Sequence, residues 1–61
     1  MVTWRILVVD DEIKILDMIQ KYLENEGFDV ITADSGKKAI ELFQRTKPDL
    51  VVLDLMMPDM S

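Results

Sequence analysis

The run Asp49-Leu50-Val51-Val52-Leu53-Asp54-Leu55-Met56-Met57-Pro58-Asp59 decides how the chain is read. Leu50 to Leu53 are all apolar and lead straight into Asp54, and a proline-containing turn follows. An apolar run of strand length without alternation predicts a strand covered on both faces, as in parallel sheets. An acid at the C-terminal edge of such a strand stands where open α/β sheets place their chemistry. Taken alone, Asp54 is better explained as a turn former, because aspartate side chains bond their own backbone in turns. The rest of the chain separates the two readings.

The same pattern occurs near the start. Arg5-Ile6-Leu7-Val8-Val9 is β-branched and apolar and ends at Asp10-Asp11-Glu12. A first buried strand, β1, is expected over residues 4–9. Ile15, Leu16, Met18, Ile19, Tyr22 and Leu23 then recur on one stripe, with Lys14, Asp17, Gln20, Lys21 and Glu24 opposite. This predicts an amphipathic helix, α1, over 12–25, with Asp11 as N-cap. Ile13 falls outside the stripe. Glu26-Gly27 ends the helix, since glycine takes the left-handed conformation that closes one, and Phe28 is then placed to pack back on Leu23. Residues 28–32 read as β2, more polar than β1 and suited to an edge. Asp34-Ser35-Gly36 offers two candidate N-caps for a second helix, α2, over 36–46, whose apolar positions are Ala39, Ile40, Leu42 and Phe43. Lys47-Pro48 stops it, because the residue before proline is pushed out of the helical region. The opening run supplies β3 over 49–54, followed by a tail over 55–61.

The order is βαβαβ with short connections, expected within a single domain over 1–61. Right-handed crossovers make the three strands parallel. The apolar β1 and β3 belong inside and β2 at an edge, giving the order 2-1-3. The helices then lie on opposite faces, and the switch point falls between the C-terminal ends of β1 and β3. Asp10, Asp11 and Asp54 converge there.

Composition narrows the chemistry. Sixty-one residues make at most one small domain, which buries only about 60% of its unfolded surface. There is no cysteine or histidine, which excludes disulfides and the common zinc sites and leaves association or a hard cation as the remaining supports. Twelve acids against seven bases give a net charge of −5, so direct nucleic-acid binding is not expected. No run is long enough for a membrane span or a signal peptide, and a cytoplasmic location is the expectation. Three carboxylates at one crevice either raise a pKa or recruit a cation, and oxygen ligands point to magnesium, manganese or calcium. A carboxylate beside such an ion can attack phosphorus and form an acyl phosphate. Solvated acids at the N-terminus of α1 explain Asp11 and Glu12 equally well through the helix dipole, but not Asp10 and Asp54.

Val8-Val9-Asp10-Asp11-Glu12 after β1, and Leu53-Asp54-Leu55-Met56-Met57-Pro58-Asp59-Met60 after β3, resemble the receiver domain of two-component response regulators. Residues 33–39 and Lys47-Pro48-Asp49 resemble it too. The resemblance implies half of a flavodoxin-like, doubly wound parallel sheet. It also implies that Asp54 is the phosphate acceptor. Asp11 would ligate Mg2+ directly, Asp10 would position it through water, and the Asp54 carboxylate and the Met56 backbone carbonyl would supply further ligands. The implied partner is a histidine kinase, and the implied role is a phosphoprotein switch rather than an enzyme. A haloacid-dehalogenase-like site fits less well, because Met56 stands where its second acid belongs, and no glycine-rich phosphate loop is present.

The family pattern continues beyond Ser61 with further strands and helices. These bring a hydroxyl residue and a lysine to the site, so phosphotransfer by these 61 residues is expected to be impaired. β3 is then expected to be an exposed apolar edge, which invites self-association. A two-fold dimer with antiparallel β3 strands, in the order 2-1-3-3-1-2, is the simplest closed form. The alternative function is accordingly a self-assembling structural fragment, a half-fold homodimer without phosphotransfer.

Overall fold

β1 (Arg5–Val9) is the axis of the computed structural model, which describes residues 3–53. It is the middle strand of a sheet ordered β2-β1-β3, with β2 at Asp29–Ala33 and β3 at Leu50–Leu53. Both neighbours are parallel to it, in a register that pairs Val9 with Ala33 on one side and with Leu53 on the other. Helices α1 (Ile13–Asn25) and α2 (Gly36–Thr46) are the two crossovers.

Alternation along β1 divides the core in two. Leu7 and Val9 pack with Ala33 and Ala39 on the α2 side, where Ile31, Leu42 and Leu53 close in. Ile6 and Val8 pack with Leu16 and Val30 on the α1 side, against Ile19, Leu23 and Phe28. The helices therefore cover opposite faces, as in a doubly wound sheet. This is why residues 6 to 9 carry no polar group: each side chain has a helix above it. β3 differs. Its Leu50 is 56% exposed, and Val51 and Val52 are 39% and 38% exposed. The cover that its composition predicts on both faces is not supplied by the described residues.

The ends of α1 follow from local bonding. Its N-cap is Glu12, without a side-chain cap, rather than the expected Asp11. The Glu12 carbonyl already accepts from the Ile15 and Leu16 N–H groups, so the helix begins one residue later. At the other end Gly27 has φ +97°, its N–H donates to the Glu24 carbonyl, and the Phe28 N–H donates to the Leu23 carbonyl. This is the paired-bond ending that a left-handed glycine permits. Because Phe28 is spent on closing α1, β2 starts at Asp29 and not at Phe28. Ile13, off the apolar stripe, is 62% exposed. A β-carbon at Gly27 would meet nothing within 4 Å, so the cost of substitution is conformational. Gly27→Ala is expected to lower stability by about 1 kcal/mol in urea titration.

α2 is capped by Ser35, whose side chain accepts from the Lys38 N–H at 3.2 Å. At its C-terminus Lys47 adopts φ 48°, and its N–H donates to the Phe43 carbonyl. Arg5 then ties down the N-terminal end of the sheet. Its Nε donates to Asp29 Oδ2 at 3.0 Å, its Nη1 to the Thr46 carbonyl at 3.0 Å, and its backbone N–H to Asp49 Oδ2 at 2.8 Å. The Arg5–Asp29 pair is about half-exposed, so its contribution is geometric more than energetic.

Candidate functional site

The crevice at the C-terminal ends of the strands is built on β1. Val9 is its last residue and pairs with both Ala33 and Leu53. Asp10 follows at once, with 7% of its surface exposed, the one buried charged residue among those described. Two bonds hold it. Its N–H donates to the Ala33 carbonyl at 3.2 Å, and its Oδ1 accepts from the Glu12 N–H at 2.9 Å. The second is the aspartate turn in which a side chain bonds backbone two residues on. It leads the chain from β1 into α1 and holds one carboxylate oxygen in place. Asp11, beside it, is exposed.

The structure thus sets Asp10 and Asp11 at the strand-end crevice, with unequal access to water. Asp54 and Met56 lie outside the described residues. Sequence reasoning missed the bond from Glu12 to Asp10, although an aspartate two residues before a helix start is a recognisable signal for it. This bond separates two substitutions. Asp10→Ala removes the acceptor and is expected to cost about 1 to 2 kcal/mol, whereas Asp10→Asn keeps a side-chain oxygen there and costs less. Equilibrium unfolding of the two variants checks the difference.

The donor chemistry at the crevice is entirely hard oxygen. Among the described residues no group of three or more acidic, histidine or cysteine side chains could by itself enclose a metal ion. Two adjacent carboxylates suit Mg2+, which keeps most of its waters and takes one or two carboxylates together with phosphate oxygens. They do not suit a calcium cage of six to eight ligands. Among the described residues no helix is long and apolar enough to cross a membrane.

Comparison with known proteins agrees with this fold. The family model for the response regulator receiver domain matches residues 6–61. The alkaline phosphatase synthesis transcriptional regulatory protein PhoP of Bacillus subtilis is 50% identical over 57 residues, which is 93% of this chain and 24% of that protein. The probable transcriptional regulatory protein TcrX of Mycobacterium tuberculosis is 48% identical over 56 residues, 92% of this chain and 24% of that one. Among solved structures, the chemotaxis response regulator CheY4 of Vibrio cholerae superposes with a TM-score of 0.89 at 33% identity, over 93% of this chain and 48% of that one. The N-terminal domain of a response regulator receiver protein from Methanoculleus marisnigri gives 0.88 at 47% identity, over 90% and 45%. The chain therefore spans about a quarter of these curated relatives and just under half of these solved chains.

Proposed function

The chain belongs to the response regulator receiver domain family, and from that premise we propose that Asp54 accepts a phosphoryl group with Mg2+ held beside it. The observation that supports this most directly is the register. Val9 of β1 stands opposite Leu53 of β3, and Asp10 and Asp54 are the residues that follow them in the sequence. Neighbouring strands run about 4.8 Å apart, and the Asp54 Cα is one peptide unit, about 3.8 Å, from that of Leu53.

In this reading an Asp54 carboxylate oxygen attacks the phosphorus of a phosphohistidine on a histidine kinase. The new P–O bond gives an acyl phosphate, the P–N bond breaks, and the imidazole nitrogen leaves with the electron pair and takes up a proton. Asp11, which is exposed, would be a direct metal ligand. Asp10 has one oxygen committed to the Glu12 N–H, so only its other oxygen would be available to help position the ion. The Asp54 carboxylate and the Met56 carbonyl would be the remaining protein ligands. Mg2+, when bound, neutralises charge on the phosphoryl oxygens. The carboxylate is a stoichiometric acceptor and not a turnover catalyst. A cytoplasmic location and no direct nucleic-acid contact follow from the same role and from the net charge of −5.

Transfer by the 61 residues is weak in this reading, because β3 has no strand on its far side among the described residues and water enters the crevice, where it screens every charge. Incubation with a small acyl phosphate, followed by intact-mass measurement, tests the proposal. A slow gain of one phosphoryl group that requires Mg2+ is expected. No gain at saturating donor and Mg2+ would remove the phosphoacceptor reading for this chain. A second reading, self-association of the βαβαβ unit as a homodimer, is favoured by the exposure of Leu50, Val51 and Val52.

A further inference from the structure

Arg5 and Asp49 are 44 residues apart in the chain and meet at the N-terminal end of the sheet. The Asp49 N–H donates to the Arg5 carbonyl at 2.8 Å, and Asp49 Oδ2 accepts from the Arg5 N–H at 2.8 Å. One residue holds both main-chain groups of Arg5 that face β3. A side-chain oxygen does here what a strand carbonyl does further along, so the N-terminal end of the β1–β3 ladder is closed. Arg5 also reaches with its Nη1 to the carbonyl of Thr46, the last residue of α2, at 3.0 Å. The connection over residues 47–49 is therefore gripped at both ends by one residue of the central strand. β3 needs such a device more than β2 does. It is Leu50-Val51-Val52-Leu53, apolar throughout. Sliding a strand by one residue exchanges the side chains on its two faces, and an alternating pattern resists that exchange. In β3 every register offers both faces the same kind of side chain. The observed register, with Leu53 opposite Val9, calls for a contact outside the apolar run. Asp49 is the polar residue that precedes the run and bonds to β1.

Resting on the reading of Asp54 as phosphoryl acceptor, we propose that Asp49 is a positioning residue for it. Its two bonds to the main chain of Arg5 set the register of β3, and with it which residue follows the position opposite Val9. Asp49 precedes β3 and Asp54 follows it, so the role is exerted along the strand and not by contact. A slip of one residue carries the chain about 3.3 Å along the strand and turns each side chain to the other face. Reactive geometry does not tolerate that, since a misplacement of about 1 Å can cost roughly a hundredfold in rate. The charge of Asp49 is not what the role requires. Its oxygen serves as an acceptor for a backbone N–H, while the Arg5 guanidinium is engaged by Asp29 and Thr46. An amide oxygen at the same place does the same. The bond is exposed, so its loss removes one tie without opening the core.

Amide hydrogen exchange separates this role from ordinary stabilisation. The Arg5 N–H bonds Asp49 and the Asp10 N–H bonds Ala33, so by alternation the N–H groups of Leu7 and Val9 face β3 and those of Ile6 and Val8 face β2. Any other register is reached by releasing β3 from β1, which frees Leu7 and Val9 alone. Asp49→Ala is expected to speed exchange at Leu7 and Val9 about fivefold and to leave Ile6 and Val8 unchanged. Phosphoryl incorporation from a small acyl phosphate at saturating Mg2+, per folded molecule, is expected to fall about twofold or more. Asp49→Asn is expected to restore both. Equal acceleration at all four amides, or no rescue by Asp49→Asn, would reduce Asp49 to a general stabilising contact and overturn the proposal. Faster exchange with undiminished incorporation would overturn it too. If Asp49→Ala does not fold, the Arg5 amide of the parent chain decides: exchange as slow as at Leu7 is expected, and exchange at the rate of an open peptide overturns the clasp. A parent chain that takes up no phosphoryl group would remove the acceptor reading, while the exchange pattern still decides whether Asp49 holds β3 in register.

Discussion

Asp54→Asn is expected to reduce phosphoryl incorporation from a small acyl phosphate to background, a loss of about a hundredfold or more, because it removes the nucleophile itself. The amide is close to isosteric but carries no negative charge, and its oxygen is a poor nucleophile toward phosphorus. Unfolding can be separated from this loss. Asp10, Asp11 and Asp54 bring three carboxylates to neighbouring strand ends in the proposed site, so neutralising Asp54 relieves repulsion and is expected to leave the metal-free fold as stable or more so. A thermal melt beside the mass measurement therefore distinguishes lost chemistry from lost structure. Asp11→Asn should behave differently. It weakens a metal ligand and keeps the acceptor, so incorporation should recover as Mg2+ is raised, while Asp54→Asn should not recover at any Mg2+ concentration. Incorporation retained in Asp54→Asn would mean that another side chain accepts the phosphoryl group and that the proposed role of Asp54 is wrong.

The architecture could be read from two apolar strings. Ile6 to Val9 and Leu50 to Leu53 lack alternation, which marks them as interior parallel strands, and the glycine and proline stops around α1 and α2 left room for only one crossover each. The strand order 2-1-3 and the placement of helices on opposite faces followed. What residues alone could not show was set by backbone bonds with no strong sequence signature. The start of α1 depends on the Glu12 carbonyl and not on an Asp11 side-chain cap. The start of β2 depends on the Phe28 N–H, which closes α1. Asp10 was legible as an acid at a strand end, and its chemical type pointed to a cation. That one of its oxygens is also a structural acceptor for Glu12 was not, and this bond is what distinguishes Asp10 from Asp11 in the proposed site. β3 shows the limit most clearly. Its composition calls for cover on both faces, but composition does not say which chain supplies it.

The largest effect on stability is expected at Leu7. It is 1% exposed on the central strand and packs with Val9, Ala33 and Ala39 below α2. Leu7→Ala leaves a space that the two alanines are too short to fill, and such buried truncations cost about 2 to 5 kcal/mol. A domain of this size rarely has more than about 3 to 5 kcal/mol in total, so most molecules of the variant are expected to be unfolded at 25 °C by circular dichroism. Ile40→Ala, at a position of α2 that is 59% exposed, should change monomer stability little by comparison. The contrast becomes sharper if folding and pairing are linked. A dimer that forms only from folded chains stabilises them by mass action, so the melting temperature of the parent chain should rise with protein concentration, and Leu7→Ala should regain structure as concentration increases. Ile40→Ala removes exposed apolar area and leaves the β1 core in place, so its melting temperature should lose part of that concentration dependence. A parent chain whose melting temperature is independent of concentration, with Leu7→Ala still cooperatively folded, would mean that β1 and its two small clusters are more stable alone than their size allows and that the exposed faces of β3 cost the fold nothing.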